Sequence, residues 1–198
     1  MSSPVGILVS AVMSGCLVAP GYVVAIELSP TADTVEQALK RGQQAAEKRI
    51  PPDQLHTSFG SQEELKPRGF LMTKVGSLVV MANHMALRAL TPSEQDIAQV
   101  LDNKSLLINV VIFGDRPNFA VNSYVVLEQN GRTIKPENVR FDARAERTAV
   151  WPERPAFRAK VVALFAYTDL DPRADTKLMV FPSGGGEVSF DLNFAEIE

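Results

Sequence analysis

EVSFDLNF, residues 187–194, alternates without exception: Val188, Phe190, Leu192 and Phe194 are apolar, while Glu187, Ser189, Asp191 and Asn193 are polar. A strand turns successive side chains to opposite faces, so a period of two predicts a half-buried β-strand resting on a core. Ser183-Gly184-Gly185-Gly186 reads as the turn before it, entered from KLMVF (177–181) through Pro182. Further back, Phe157, Ala159, Val161, Ala163, Phe165 and Tyr167 recur at every second position, with Arg158 and Lys160 between them, which predicts a long half-buried strand. SYVVLEQ and RTIKP flank Asn130-Gly131, the strongest short hairpin signal, because both central residues of a type I′ turn need positive φ. LLINVVIF (106–113) is apolar on both faces, as a central strand is. About six closely spaced strands joined by Gly, Pro and Asn turns predict an antiparallel, immunoglobulin-like β-sandwich over 104–198.

The residues ahead of the sandwich carry a different period. Thr34-Val35-Glu36-Gln37 has capping-box spacing, and good helix formers run on through ALKRGQQAAEKR until Ile50-Pro51-Pro52. The apolar side of this helix (Val35, Ala38, Leu39, Gly42, Ala45, Ala46) is mostly small. Residues 26–68 therefore read as a helical arm followed by a polar linker over 53–68. Val75, Leu78, Val79, Ala82, Met85 and Ala86 recur at helical spacing, and Thr91-Pro92-Ser93-Glu94 marks a second start with Thr91 as N-cap. Residues 69–103 form a helical layer on this reading. The expected class is α+β: mostly β, preceded by about three helices.

The first charged side chain is Glu27, and Val5 to Val18 has the length and apolarity of a signal-peptide core. Two processing routes fit residues 1–25. Val23-Val24-Ala25 offers the small residues a signal peptidase reads, with release after Ala25. Met13-Ser14-Gly15-Cys16 resembles a bacterial lipobox, which makes Cys16 a lipidation candidate. Neither route has the basic residue expected ahead of the apolar run. Both place the folded part outside the cytoplasm, in the periplasm or cell envelope, with membrane contact only through the N-terminus.

Composition narrows the chemistry. Twenty basic against 23 acidic residues give a net charge of −3, the wrong sign for a general nucleic-acid binder. Cys16 is the only cysteine, so the chain after it holds no disulfide, thiolate nucleophile or Cys-based metal site. No Gly-x-Ser-x-Gly, His-Glu-x-x-His or Walker A pattern occurs, and no cofactor or metal is expected. His56 and His84 read as one surface and one packed histidine. Asp169, Asp171 and Asp175 read as a solvated turn, since their spacing matches no calcium loop. The most suggestive segment is RFDARAERTAVWPERPAFRAK (140–160), where the only tryptophan sits among arginines and prolines. Guanidinium groups beside an aromatic plane suit an anionic ligand or a protein hot spot, which singles out Trp151, Arg154 and Arg158 as ligand-binding candidates. The expected role is a non-enzymatic binding or structural protein whose partner is another envelope macromolecule, protein or glycan. The alternative is an envelope hydrolase using carboxylates that sequence does not locate.

Overall fold

The computed structural model describes residues 25–197. The apolar segment and Cys16 lie outside the described residues, and the two processing routes with them. In chain order the elements are α1 (Ala32–Glu47), a 3-10 turn (Pro52–Gln54), β1 (Thr57–Gly60), β2 (Arg68–Met72), α2 (Lys74–Ala86), α3 (Glu94–Leu101), β3 (Ser105–Gly114), β4 (Tyr124–Gln129), β5 (Arg132–Ile134), β6 (Asn138–Phe141), β7 (Glu146–Arg147), β8 (Phe157–Ala166), β9 (Asp175–Phe181) and β10 (Val188–Asn193). The class is α+β, with two antiparallel sheets following a mainly helical N-terminal part.

One sheet runs β1-β2-β3-β8-β6, with β7 also paired to β8; the other runs β10-β9-β4-β5. Alternation decides which side chains meet between them. Ile108, Val110, Ile112, Val161, Ala163 and Phe165 from the first sheet share one buried cluster with Val125, Leu127, Leu178, Val180, Phe190 and Leu192 from the second. Each such aliphatic or aromatic side chain contributes roughly 1.5–3 kcal/mol when fully withdrawn from water, so this cluster carries the sandwich. Asn130 and Gly131 take φ values of 52° and 75° and join β4 to β5, as the hairpin reading requires. β10 keeps its alternation, with Phe190 and Leu192 buried and Ser189, Asp191 and Asn193 exposed. Ile26 closes one end of the core: it is buried, and its amide donates to the Phe194 carbonyl at 3.2 Å.

Several local expectations shift. The polar stretch read as a linker contains β1 and leads into β2, a hairpin added to the edge of the first sheet, with Leu71 opposite Ile108. Neither strand has enough alternation to announce itself; pairing of β2 with β3, and of β1 with β2, makes them. The N-cap of α1 is Thr31, three residues before the position expected, and Thr34 supplies the amide it accepts. The N-cap of α3 is Ser93, whose hydroxyl accepts from the Asp96 amide while the Asp96 carboxylate accepts from the Ser93 amide. That reciprocal pair leaves Thr91 and Pro92 outside the helix. The arm is docked: Ala38, Gly42 and Ala45 of α1 are buried, and α1 crosses α2 so closely that a Cβ on Gly42 would lie 2.4 Å from the Val79 carbonyl oxygen. The helices have their own buried cluster of Ala38, Val75, Leu78 and Val79, separate from that of the sandwich. β6 and β7 were not foreseen.

Candidate functional site

Trp151 lies at the tip of the β7–β8 hairpin. The base of that tip is closed by the Thr148 amide donating to Ala156 O at 3.0 Å and the Thr148 hydroxyl donating to Pro155 O at 2.7 Å. Two overlapping turns fill the tip, with the Trp151 amide bonded to Thr148 O and the Glu153 amide to Val150 O. The peptide bonds before Pro152 and Pro155 are cis. A loop so bonded presents its side chains from a defined frame, and Trp151 stays 45% exposed. The Arg147 guanidinium stands over its ring, 4.0 Å from the centroid, a cation–π contact at a partly exposed site.

The arginines nearby divide. Arg154 pairs with Asp115 across the hairpin junction, Nε to Oδ2 at 3.4 Å, with both groups well exposed. Exposed pairs of this kind hold little energy, so Asp115 restrains Arg154 only weakly. Arg158 pairs with Glu146 through two nitrogens, at 2.9 and 3.0 Å, on the neighbouring strand. Arg154 also lines a cavity of about 360 Å³ with Asp115, Arg116, Phe119, Gly184–Gly186 and Glu187. Phe119 is fixed there by two contacts. Its ring lies where a Cβ on Gly114 would sit, and its carbonyl accepts from the Gly184 amide and the Ser183 hydroxyl. Arg147 and Asp115 were not singled out by sequence. Arg147 sits in the quoted segment but competes there with five other cations, and Asp115 reaches Arg154 only through the sheet topology.

Carboxylates gather elsewhere. Glu128, Asp175 and Asp191 line a cavity of about 450 Å³ on the outer face of the four-stranded sheet, together with Lys177. Lys177 sits opposite Glu128 on one side and Asp191 on the other, an alternating cross-strand row that stabilises strand pairing. Asp171 is engaged in its turn. One carboxylate oxygen accepts from the Arg173 amide, the other from the Asn130 side chain, and its own amide donates to Gln129 Oε1. Among the described residues no group of three His, Cys, Asp or Glu side chains is placed to hold a metal ion. His84 is exposed, and His56 stacks on Phe70 with ring centroids 4.0 Å apart. Burial pulls the His56 imidazole below its ordinary value, against the opposing charge of Asp53. Among the described residues no helix is long and apolar enough to cross a membrane.

No family model matches the chain, and no curated protein matches it. Among solved structures it is similar to the archaellum periplasmic stator protein FlaG from Sulfolobus acidocaldarius, with 12% identity and a TM-score of 0.32, over 45% of this chain and 86% of that one. The complex of the stator proteins FlaF and FlaG from the same organism gives 12% identity and a TM-score of 0.28, over 45% of this chain and 77% of that one. Likeness at this level carries no argument about function.

Proposed function

We propose that the chain is an exported, non-enzymatic binding protein of a bacterial-type cell envelope, which docks another envelope macromolecule, protein or glycan, through the Trp151 hairpin tip. The observation that carries this reading is the part-exposed indole backed by Arg147 on a hydrogen-bonded loop that also carries Arg154. An aromatic plane and a guanidinium held in fixed relation is the composition of binding hot spots, and it offers stacking plus an anion contact to one ligand. Export is supported by the uncharged first 26 residues. Ile26, the residue that release after Ala25 would make the new N-terminus, is already buried. Lipidation at Cys16 would instead leave Leu17 to Ala25 as the tether. Intact mass of the processed protein separates these: loss of residues 1–25, or loss of 1–15 with an acyl addition.

The single tryptophan makes the binding test direct. Purified cell-wall glycan and solubilised envelope protein are each titrated against the chain while Trp151 emission is followed. Binding is expected to shift or quench it, and Trp151→Ala to weaken binding about 30-fold, the scale of a 2 kcal/mol hot spot. Full binding by Trp151→Ala overturns the assignment. Hydrolysis of the glycan that survives Trp151→Ala and is lost in Glu128→Gln or Asp191→Asn selects the hydrolase alternative, with its carboxylates on the four-stranded sheet.

A further inference from the structure

An edge strand presents unpaired main-chain N–H and C=O groups, and folded proteins ordinarily blunt it with shortness, bulges, proline or lysine. Among the described residues the two sheets end in four edges, and three are blunted in this way. β1 has four residues and stops at Gly60, which takes φ 84°. β5 has three residues and runs straight into Lys135-Pro136. β6 has four, carries Arg140 and begins two residues after Pro136.

β10 has none of these devices. It pairs with β9 through six consecutive residues, Val188 to Asn193, without a bulge, and holds no proline, glycine, lysine or arginine. Among the described residues no main-chain hydrogen bond outside that ladder reaches it. Ser189, Asp191 and Asn193 are exposed on its outer face, and Val188 at its start is only half-buried.

The side chains of β10 fit a second copy of the same strand. A two-fold axis perpendicular to the sheet keeps inner residues against inner residues only if it passes through a residue. At the middle of this strand that residue is Phe190 or Asp191. Centred on Asp191, the pairing sets that carboxylate directly against its own copy, which is destabilising. Centred on Phe190, it sets Asp191 opposite Ser189, and Glu187, just ahead of the strand, opposite Asn193. Each carboxylate then faces a neutral hydrogen-bond donor, and Asp191 keeps Lys177 opposite it on β9. On the inner face Val188 meets Leu192 and Phe190 meets its copy, so the apolar row continues across the junction.

We propose that β10 pairs antiparallel with β10 of a second copy in the Phe190-centred register, joining the two four-stranded sheets into one. A strand of this length supplies about six main-chain hydrogen bonds across the junction. The contact is isologous and closes at two copies. So small a junction makes a weak, reversible interface. The Trp151 tip belongs to the other sheet, so the inference is independent of the binding reading.

Sedimentation velocity on the purified full chain, over about a hundredfold range of concentration, tests this. A reversible shift between monomer and dimer is expected. Ser189 is exposed and lies opposite Met179 within its own sheet, so its replacement is expected to leave the melting temperature unchanged. Ser189→Asp sets a carboxylate opposite Asp191 at both symmetric positions and is expected to weaken the dimer about tenfold. Ser189→Lys sets an ammonium there and is expected to tighten it. Trp151→Ala is expected to leave the dimer intact. A chain that stays monomeric throughout overturns the proposal. So does a dimer indifferent to both Ser189 variants, or assembly that continues past two copies. A dimer that disappears when residues 1–24 are removed assigns the contact to that segment and overturns it too.

Discussion

Asn130 and Gly131 show how much one dipeptide decides. Both sit at positive φ, and a Cβ on Gly131 would meet nothing within 4 Å, so only backbone preference opposes a side chain there. Gly131→Ala is therefore expected to destabilise the fold by about 1 kcal/mol, the left-handed penalty alone, measurable as a lowered urea midpoint at unchanged m-value. Trp151 is the opposite kind of residue. Its side chain is half in water and its loop is held by backbone and Thr148 hydrogen bonds, none of which uses the indole. Trp151→Ala is expected to cost about 1 kcal/mol through the lost Arg147 contact and to leave the fold intact, so a loss of binding measured on the folded variant reads as a loss of contact. The arginines are told apart only by their partners: Arg158 is engaged by Glu146 through two nitrogens, and Arg154 shares a single exposed contact with Asp115.

Among the elements, the α1–α2 pair is the tightest fit. The run of small residues on α1 reads equally as close packing or weak packing, and the tertiary contact selects close packing. A Cβ on Gly42 would lie 2.4 Å from Val79 O, 2.6 Å from Ala82 Cβ and 2.9 Å from the Asn83 amide nitrogen, two of them backbone atoms that have no rotamer to give. Alanine gains roughly 1 kcal/mol of helix propensity over glycine. Overpacking of this severity costs about 1–3 kcal/mol, and backbone clashes lie at its upper end. Gly42→Ala is accordingly expected to lower the melting temperature, where propensity alone would raise it. α2 is held at its start as well, since Lys74 Nζ donates to Leu101 O at 2.7 Å at the end of α3 and lies 5.5 Å from the Tyr167 ring. Burial lowers the Lys74 ammonium from its ordinary value, helped by Lys104 and opposed by Asp102.

At the scale of the molecule the described residues pack around two apolar clusters, and Tyr167 sits in the sandwich cluster where Lys74 reaches across from the helices. Burial pushes its phenol up to about 12 from 10.0, only partly offset by the nearby Lys74 backbone amide, and its hydroxyl has no hydrogen-bond partner. The unfolded chain releases this proton first, so the contribution is complete below pH 10 and is lost as pH rises through about 12. Stability is expected to fall by about 2–3 kcal/mol across that window, and Tyr167→Phe to remove this share of the fall without weakening the protein at neutral pH. Denaturant titrations at several alkaline pH values check both. By itself the sequence determined β3, β4, β5, β8, β9 and β10, the Asn130-Gly131 hairpin and the existence of three helices. Each of these follows from local periodicity or from a backbone need that one dipeptide satisfies. It also brought Trp151 forward, because a lone aromatic among arginines is visible in one dimension. Only the tertiary structure decided that β1 and β2 are strands, because β2 pairs with β3 across almost forty positions and β1 pairs only with β2. Only it placed Arg147 over the indole and Asp115 against Arg154. Period tells which side chains share a face; what lies against that face is a property of chain segments distant in sequence.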